Sequence, residues 1–251
     1  MVPPPLWELR HNHRDGATGW RSGAGSWSTG VVRRAILALL LLTAGLWGCA
    51  YPYNVRNVGA EQTALYASVG GPLFDNLGAP IPIPAVVVGA QHGVTDFWDA
   101  HASLHVLAAV YKMAGIDAGS TLRLLRQRGG VPEVTGTFRL SLLTNFEDGA
   151  RVYPELEAFA SWLLRGRVLL FGGLNTFYDF FWHGGPRVHW GPCVGAEVQL
   201  GRRYALGIAV RWISPEASTD RLVVEYVTPG GQGTLAIQLG FKVYLGRRGN
   251  P

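Results

Sequence analysis

Segment 234–245, "TLAIQLGFKVYL", alternates strictly between large apolar residues and small or polar residues. A period of two places successive side chains on opposite faces of a β-strand. Segments 203–213, "RYALGIAVRWI", and 188–200, "VHWGPCVGAEVQL", repeat the pattern. Three neighbouring segments therefore predict strands with one large apolar face each.

The second face of these strands indicates what kind of sheet they form. In a soluble sandwich it would carry long Lys, Glu and Thr side chains, whereas here it combines small residues with isolated charges. Alternation over about ten residues, with aromatic residues such as Tyr204 and Trp212 near strand ends, is typical of membrane barrels whose lipid and lumen faces alternate. Ring closure also leaves no unpaired strand edge in the bilayer.

The remaining strands are predicted from weaker versions of the same pattern. The predicted fold is all-β, an antiparallel up-and-down transmembrane β-barrel of about ten strands, within a range of roughly eight to twelve, preceded by a cleaved signal helix. Segment 99–115 is also compatible with a helix by propensity, and "RLVVEYV" at 221–227 with a hairpin on the last strand. The further predicted strands are 63–70, 84–93, 97–108, 115–125, 133–145, 152–164 and 167–179.

The connections between these strands predict an orientation. The compact ones, "VTDFWD", "RQRGG", "LRGR" and "LGRR", alternate with mostly longer ones, "GPLFDNLGAPIPI", "NFEDGAR", "YDFFWHGGPR" and "SPEASTDRLVVEYVTPGGQG". Short turns of outer-membrane barrels face the periplasm. An even number of strands then places both termini in the periplasm.

A short apolar run lies well before the first strand. Arg33 and Arg34 precede 35–47, which is too short for a permanent membrane helix, since that needs roughly 20 apolar residues, and has the length of a secretory core region. The motif "LWGC" at 46–49 resembles the lipobox of bacterial lipoproteins, although Trp47 is larger than the residue usual there. The resemblance implies cleavage before Cys49, a diacylglycerol and an acyl chain such as palmitate on Cys49, and outer-membrane sorting, because Ala50 replaces the aspartate of retained lipoproteins. An ordinary secretory peptide with a chance cysteine is the alternative.

These features divide the chain into five parts. Residues 1–30 lack any period and are predicted to be a disordered extension. If translation starts at Val31 or Val32, they are a mis-assigned extension instead. Without 1–48, which hold five arginines and two acidic residues, the chain is nearly neutral, so its formal charge of +5 does not indicate nucleic-acid binding. With Cys49 lipidated, Cys193 has no intrachain partner and no disulfide is expected. The parts are the extension 1–30, the signal peptide 31–48, a tether 49–62, the barrel 63–246 and a periplasmic tail 247–251.

Over 63–246 the chain resembles small outer-membrane β-barrels of Gram-negative bacteria, in its patterning and in "GVTDFWD" at 93–99. The resemblance implies a non-enzymatic role in the envelope, in partner contact or in small-solute passage, without a cofactor. The expected partners are outer-membrane lipid, small solutes and envelope proteins. The alternative is a lipid-tethered soluble ligand-binding barrel in the periplasm, with its apolar faces turned inward.

Charged residues on the inward faces form a predicted lumen polar cluster. Both signs occur, and unpaired charges in a narrow lumen are costly, so we expect ion pairs that plug it; a selectivity lining for a small solute is the alternative. Glycines such as Gly195, Gly207 and Gly240 leave room for the long side chains. The cluster comprises Asp117, Arg123, Arg139, Glu197, Arg203, Arg211 and Lys242, with Glu155 or Glu157 as further members.

Catalytic and metal sites are weakly indicated. His101 and Ser103 share a strand face and resemble the His-x-Ser motif of lipid A deacylase barrels, which implies a lipid A-modifying enzyme as an alternative. Leu104 replaces the asparagine of that motif, and no acidic residue identifies itself as the partner of the histidine. His101 and His105 are about 13 Å apart on a strand, too far to share a metal ion. We therefore predict no enzymatic activity and no metal site.

Overall fold

A computed structural model describes residues 54–76, 79–82, 85–106, 114–144, 149–180, 187–218 and 226–245. The predicted signal peptide, Cys49 and the tail 247–251 lie outside the described residues. The strands are β1 Thr63–Asn76, β2 Ala79–Pro82, β3 Ala85–Gly93, β4 Trp98–His105, β5 Ala114–Leu125, β6 Glu133–Thr144, β7 Ala150–Leu164, β8 Val168–Tyr178, β9 Val188–Leu200, β10 Tyr204–Ser218 and β11 Gln232–Leu245.

Ten of these strands close into a ring. Every neighbouring pair is antiparallel, in the order β1, β3, β4 and so on to β11. β11 then pairs with β1, from Thr63 opposite Leu245 to Pro72 opposite Ala236. The predicted antiparallel barrel of about ten strands is confirmed. No helix in the described part of the chain is long and apolar enough to cross a bilayer.

β1 extends beyond the ring and forms a hairpin with β2. Leu73 lies opposite Pro82 and Asn76 opposite Ala79. The backbone N–H of Val227 donates to the carbonyl of Leu73 at 2.8 Å, and Phe74 forms a bridge with Tyr226. The predicted connection 71–83 is therefore wrong where it contains the last part of β1 and the whole of β2. These two stretches pair with each other beyond Ala85, the first residue of β3.

The two ends of the barrel differ in their connections. We call the end that holds Thr63 and Leu245 proximal and the other end distal. The proximal turns are short: β7 and β8 are joined by 165–167, where Arg165 and Gly166 have φ angles of 49° and 65°, and the N–H of Arg167 donates to Leu164 at 3.0 Å. Two successive positive φ angles characterise the type I′ turn, which matches the twist of paired strands.

The faces of the strands lie as the alternation predicts. On β11, Gln238 and Lys242 are 2% and 3% exposed, whereas Phe241 and Leu245 are 38% and 46% exposed. Each of the ten ring strands carries at least one exposed large apolar side chain, and the buried polar side chains point into the lumen. The alternative with the apolar faces turned inward is wrong.

Candidate functional site

Residues 54–62, which we call the plug segment, fill the proximal part of the lumen. Asn54 and Val55 are each 1% exposed, although the sequence assigns them to a tether. Thr135 Oγ1 donates to the carbonyl of Val55 at 2.8 Å, and Gln91 Nε2 donates to the carbonyl of Arg56 at 3.2 Å. The wall of the barrel thus satisfies backbone groups of the plug segment that would otherwise be buried without partners.

Asp99 connects the plug segment to the turn between β3 and β4. Its Oδ2 atom accepts from the backbone N–H of Val58 at 2.8 Å and from Gln91 Nε2 at 2.7 Å. The segment then enters β1 alongside Gly93, whose carbonyl accepts from the N–H of Glu61 at 2.8 Å. A Cβ atom at Gly93 would collide with the backbone of Gly59. Glycine is therefore required where the segment passes the end of β3.

An ion pair links the plug segment to β6. The guanidinium of Arg56 lies 3.2 Å from Glu133 Oε2 and donates to Gln127 Oε1 at 3.0 Å. The same amide oxygen accepts from the N–H of Leu163 at 2.9 Å. Glu133 is 1% exposed, so Arg56 compensates a charge that would otherwise be buried alone.

Apolar packing accompanies these polar contacts. Val55 belongs to a buried cluster, and the rings of Phe159 and Phe171 in it meet edge to face at 6.1 Å. Aromatic pairs in this geometry contribute beyond their buried area. The other members come from β1, β3 and β8 to β10 and are Tyr66, Val87, Leu169, Cys193 and Ala209.

Four charged residues farther along the strands form a second group, which we call the ionic cluster: Arg139, Glu155, Glu157 and Arg211. Arg139 binds Glu155 at 2.6 Å and Glu157 at 3.0 Å, and Arg211 lies 3.3 Å from the same oxygen of Glu157. The Glu157 side chain is 1% exposed. One buried carboxylate is thus shared by two guanidinium groups from β6 and β10.

Two smaller polar groups also line the lumen. Asp117 Oδ2 accepts from Ser103 Oγ at 2.9 Å and lies 2.8 Å from His105 Nε2. Lys242 Nζ lies 3.0 Å from Glu197 Oε2. Both carboxylates are 2% exposed.

The structure brings together most of the predicted lumen polar cluster, but in three separate groups. Asp117, Arg139, Glu197, Arg211 and Lys242 face the lumen in them. Glu155 and Glu157 both belong to the ionic cluster.

Two members of the predicted lumen polar cluster lie outside these three groups. Arg123 is half-buried near the proximal end, on the same face of β5 as Asp117. Its charge acts on the carboxylates of Asp99 and Glu133. Arg203 lies in the turn between β9 and β10 and is exposed, because β10 begins one residue later than the alternation suggests, at Tyr204.

His101 and Ser103 both point into the lumen, where they are 5% and 3% exposed. Neither ring nitrogen of His101 has a hydrogen-bond partner within the described chain, and the hydroxyl of Ser103 donates to Asp117. The lipid A deacylases of the resemblance turn their catalytic residues to the membrane. The described geometry therefore lacks both the orientation and the serine–histidine contact of that motif.

Other buried groups have simpler descriptions. Cys193 is a free, buried cysteine. Within the described ranges, no three His, Cys, Asp or Glu residues are grouped as metal ligands. Several buried polar atoms of the lumen wall have no hydrogen-bond partner there, among them Ser68 Oγ, Asp117 Oδ1, Glu157 Oε2 and Gln238 Oε1.

No sequence signal of the kind used above could have identified the plug segment. Its sequence, "NVRNVGAEQ", has no period of two or of 3.6. Its position depends on side chains of the wall that meet its carbonyl and amide groups.

No protein-family model matches the sequence, and the search of curated proteins finds no match. Among solved structures, the chain is similar to the translocator domain of autotransporter NalP from Neisseria meningitidis, with 10% identity, coverage of 85% of this chain and 97% of that chain, and a TM-score of 0.42. It is also similar to the NanC porin, with 8% identity, coverage of 74% and 100%, and a TM-score of 0.41. For the outer membrane protein OprG from Pseudomonas aeruginosa, the identity is 10%, the coverage 76% and 99%, and the TM-score 0.31.

Proposed function

We propose that the chain is an outer-membrane β-barrel lipoprotein with a non-enzymatic role in the envelope, and that its lumen is closed at the proximal end by the plug segment. The observation that carries the proposal is the combination of a closed ring with an apolar outer surface and a charged, buried interior. Soluble proteins rarely expose large apolar side chains over a continuous surface such as the outside of all ten strands. A membrane barrel requires an apolar outer surface, because that surface contacts lipid.

The plug segment favours an envelope or partner-contact role over free diffusion through the barrel. Val55, Arg56 and Val58 are held by hydrogen bonds from three different strands, β3, β4 and β6. An open porin needs a continuous polar passage. Here a stretch of backbone crosses the lumen at its proximal end.

Passage of a small solute is the second candidate function. Its support is the set of buried, unpartnered polar atoms on the lumen wall, which includes Glu157 Oε2 and Gln238 Oε1. Such atoms are normally satisfied by water, and charges of both signs could line a selective passage. Passage would require the plug segment to move, so conductance of plug-weakened variants separates the two candidates.

The membrane and lipid parts of the proposal are tested with the variant Cys49→Ser. We expect the wild type to incorporate labelled palmitate and the variant not to incorporate it. The variant should still fractionate with the outer membrane and migrate compactly on detergent gels until it is boiled, because its strands span the bilayer. Release of the variant into the periplasm as a soluble protein would contradict the barrel assignment, and labelling of the variant would contradict lipidation at Cys49.

A further inference from the structure

Arginines are concentrated in three of the short proximal turns. Each of these turns carries two, and all six are exposed. No salt bridge joins any of them to a carboxylate of the described residues. We call this set the arginine arc: Arg126, Arg128, Arg165, Arg167, Arg202 and Arg203.

The arginine arc occupies one side of the proximal rim. Its turns join β5 to β6, β7 to β8 and β9 to β10, which are six consecutive strands of the ring. The remaining proximal turn carries Asp96, and Glu61 precedes β1; both are exposed. Among the described residues, the rim is therefore strongly positive over more than half of its circumference and carries exposed acidic residues on the remaining part.

The arc lies directly next to the apolar outer surface. Leu164 and Leu200 are 45% and 41% exposed and immediately precede the turns of Arg165 and Arg202. Tyr204, 45% exposed, follows Arg203. Guanidinium groups one or two residues beyond the last lipid-facing side chain lie at the depth of lipid headgroups.

We propose that the arginine arc binds the phosphate groups of anionic phospholipids in the leaflet that meets the proximal rim. The inference rests on the proposed membrane-spanning barrel. Arginine presents a planar set of donors that fits phosphate oxygens in pairs, and in each of the three turns the two arginines lie within two residues of each other along the chain. An acidic protein partner would need no such position beside the apolar surface.

The chain carries two tryptophans that can report lipid contacts inside the arc and at its edge. Trp162 lies within the arc, since its indole N–H donates to the carbonyl of Gly130 in the β5–β6 turn at 2.9 Å. Trp98 begins β4 beside Asp96, opposite Leu122 of β5 at the edge of the arc, and is 38% exposed. Two variants, each retaining one of them and with phenylalanine at the other tryptophans of the mature chain, make a matched pair.

The experiment compares quenching by phosphatidylglycerol and phosphatidylcholine that carry bromine near the headgroup end of their acyl chains. The mature chain is inserted into vesicles with equal amounts of both lipids in both leaflets, so that insertion orientation has no influence, and one lipid at a time is brominated. From the quenching of Trp162, we expect an apparent affinity for phosphatidylglycerol that is roughly fivefold higher than that for phosphatidylcholine. Trp98, at the edge of the arc and beside Asp96, should show a weaker preference than Trp162, and 1 M salt should abolish the preference at both tryptophans.

Replacing the six arginines of the arc with glutamine should remove the preference, and replacing them with lysine should retain most of it because the charge remains. Equal quenching of Trp162 by the two lipids, with heat-modifiable migration intact, would overturn the lipid-binding inference and leave the barrel assignment standing. Absence of quenching by either lipid at both tryptophans would instead show that the chain does not insert. Loss of a soluble acidic partner from the glutamine variant, without any lipid preference in the parent, would also overturn the inference.

Discussion

The plug segment and the ionic cluster both fill the lumen, but they do so with different chemistry. We call the plug segment, together with the wall side chains that bind it, the plug layer. In it, side chains such as Gln91 and Thr135 bind backbone groups of a segment that precedes the barrel. In the ionic cluster, side chains of β6, β7 and β10 bind one another, with Glu157 shared by Arg139 and Arg211. The plug segment could leave the lumen with the loss of its own hydrogen bonds to the wall, including that of Glu61 to Gly93, whereas the ionic cluster is part of the wall.

This difference separates closure of the lumen from stability of the ring. Removing a contact of the plug segment should mainly affect whether ions cross the barrel. Removing a member of the ionic cluster leaves opposite charges buried without compensation, and such charges cost several kcal/mol. Substitutions around the plug segment should therefore mainly change conductance, and substitutions in the ionic cluster should mainly change the free energy of unfolding.

The largest effect on stability is expected for Glu157→Gln in the ionic cluster. The substitution keeps the shape but removes the charge shared by Arg139 and Arg211, and breaking a buried pair costs about 3–5 kcal/mol. Urea unfolding of the lipid-inserted barrel, followed by tryptophan fluorescence, measures the loss. The control is Glu216→Gln, because Glu216 pairs with His189 and its side chain is 23% exposed; its expected cost is at most about 1 kcal/mol. A similarly small loss for Glu157→Gln would mean that water reaches the cluster, and would favour solute passage.

A smaller loss of stability, with a change in conductance, is expected for Asp99→Ala in the plug layer. The substitution leaves the N–H of Val58 and the amide of Gln91 without the acceptor that they share. A buried donor left unsatisfied costs about 1–3 kcal/mol. Planar bilayer recordings should show more frequent openings than the wild type, because the plug segment is held less firmly. Asp96→Ala, an exposed position in the adjacent turn, should leave both measurements unchanged. Unchanged conductance in Asp99→Ala would contradict the role of Asp99 in closure.

These two regions also differ in how far the sequence predicts them. A period of two identifies the inward face residue by residue, so the sequence alone predicts that Arg139 and Arg211, with Glu155 or Glu157, face the lumen. The pairs they form depend on strand register, since Arg139 lies opposite Glu155 across β6 and β7, and a single sequence does not specify register. The plug segment was not predicted, because its burial depends on Thr135, Gln91 and Asp99 rather than on any pattern of its own. Arg203 was misplaced by one residue at a strand end, where alternation cannot separate the turn from the strand.

The smallest effect is expected at the apolar layer between the two regions, at Gly173 on β8. A Cβ atom there would collide with the ring of Phe159 and the carbonyl of Ala158, and Phe159 belongs to the same buried cluster as Val55. Its neighbour Gly172 is the matched control, since a Cβ at that position meets nothing nearer than 3.8 Å. Overpacking of this kind costs about 1–3 kcal/mol. The Phe159 ring can relieve its part of the collision by a shift toward Val55, whereas the carbonyl of Ala158 belongs to the backbone of β7 and yields less easily. That shift would push the plug segment, so Gly173→Ala should also raise the frequency of channel openings, whereas Gly172→Ala should change neither quantity. Equal unfolding free energies and equal opening frequencies for the two variants would contradict the transmission of a displacement from Phe159 to the plug segment.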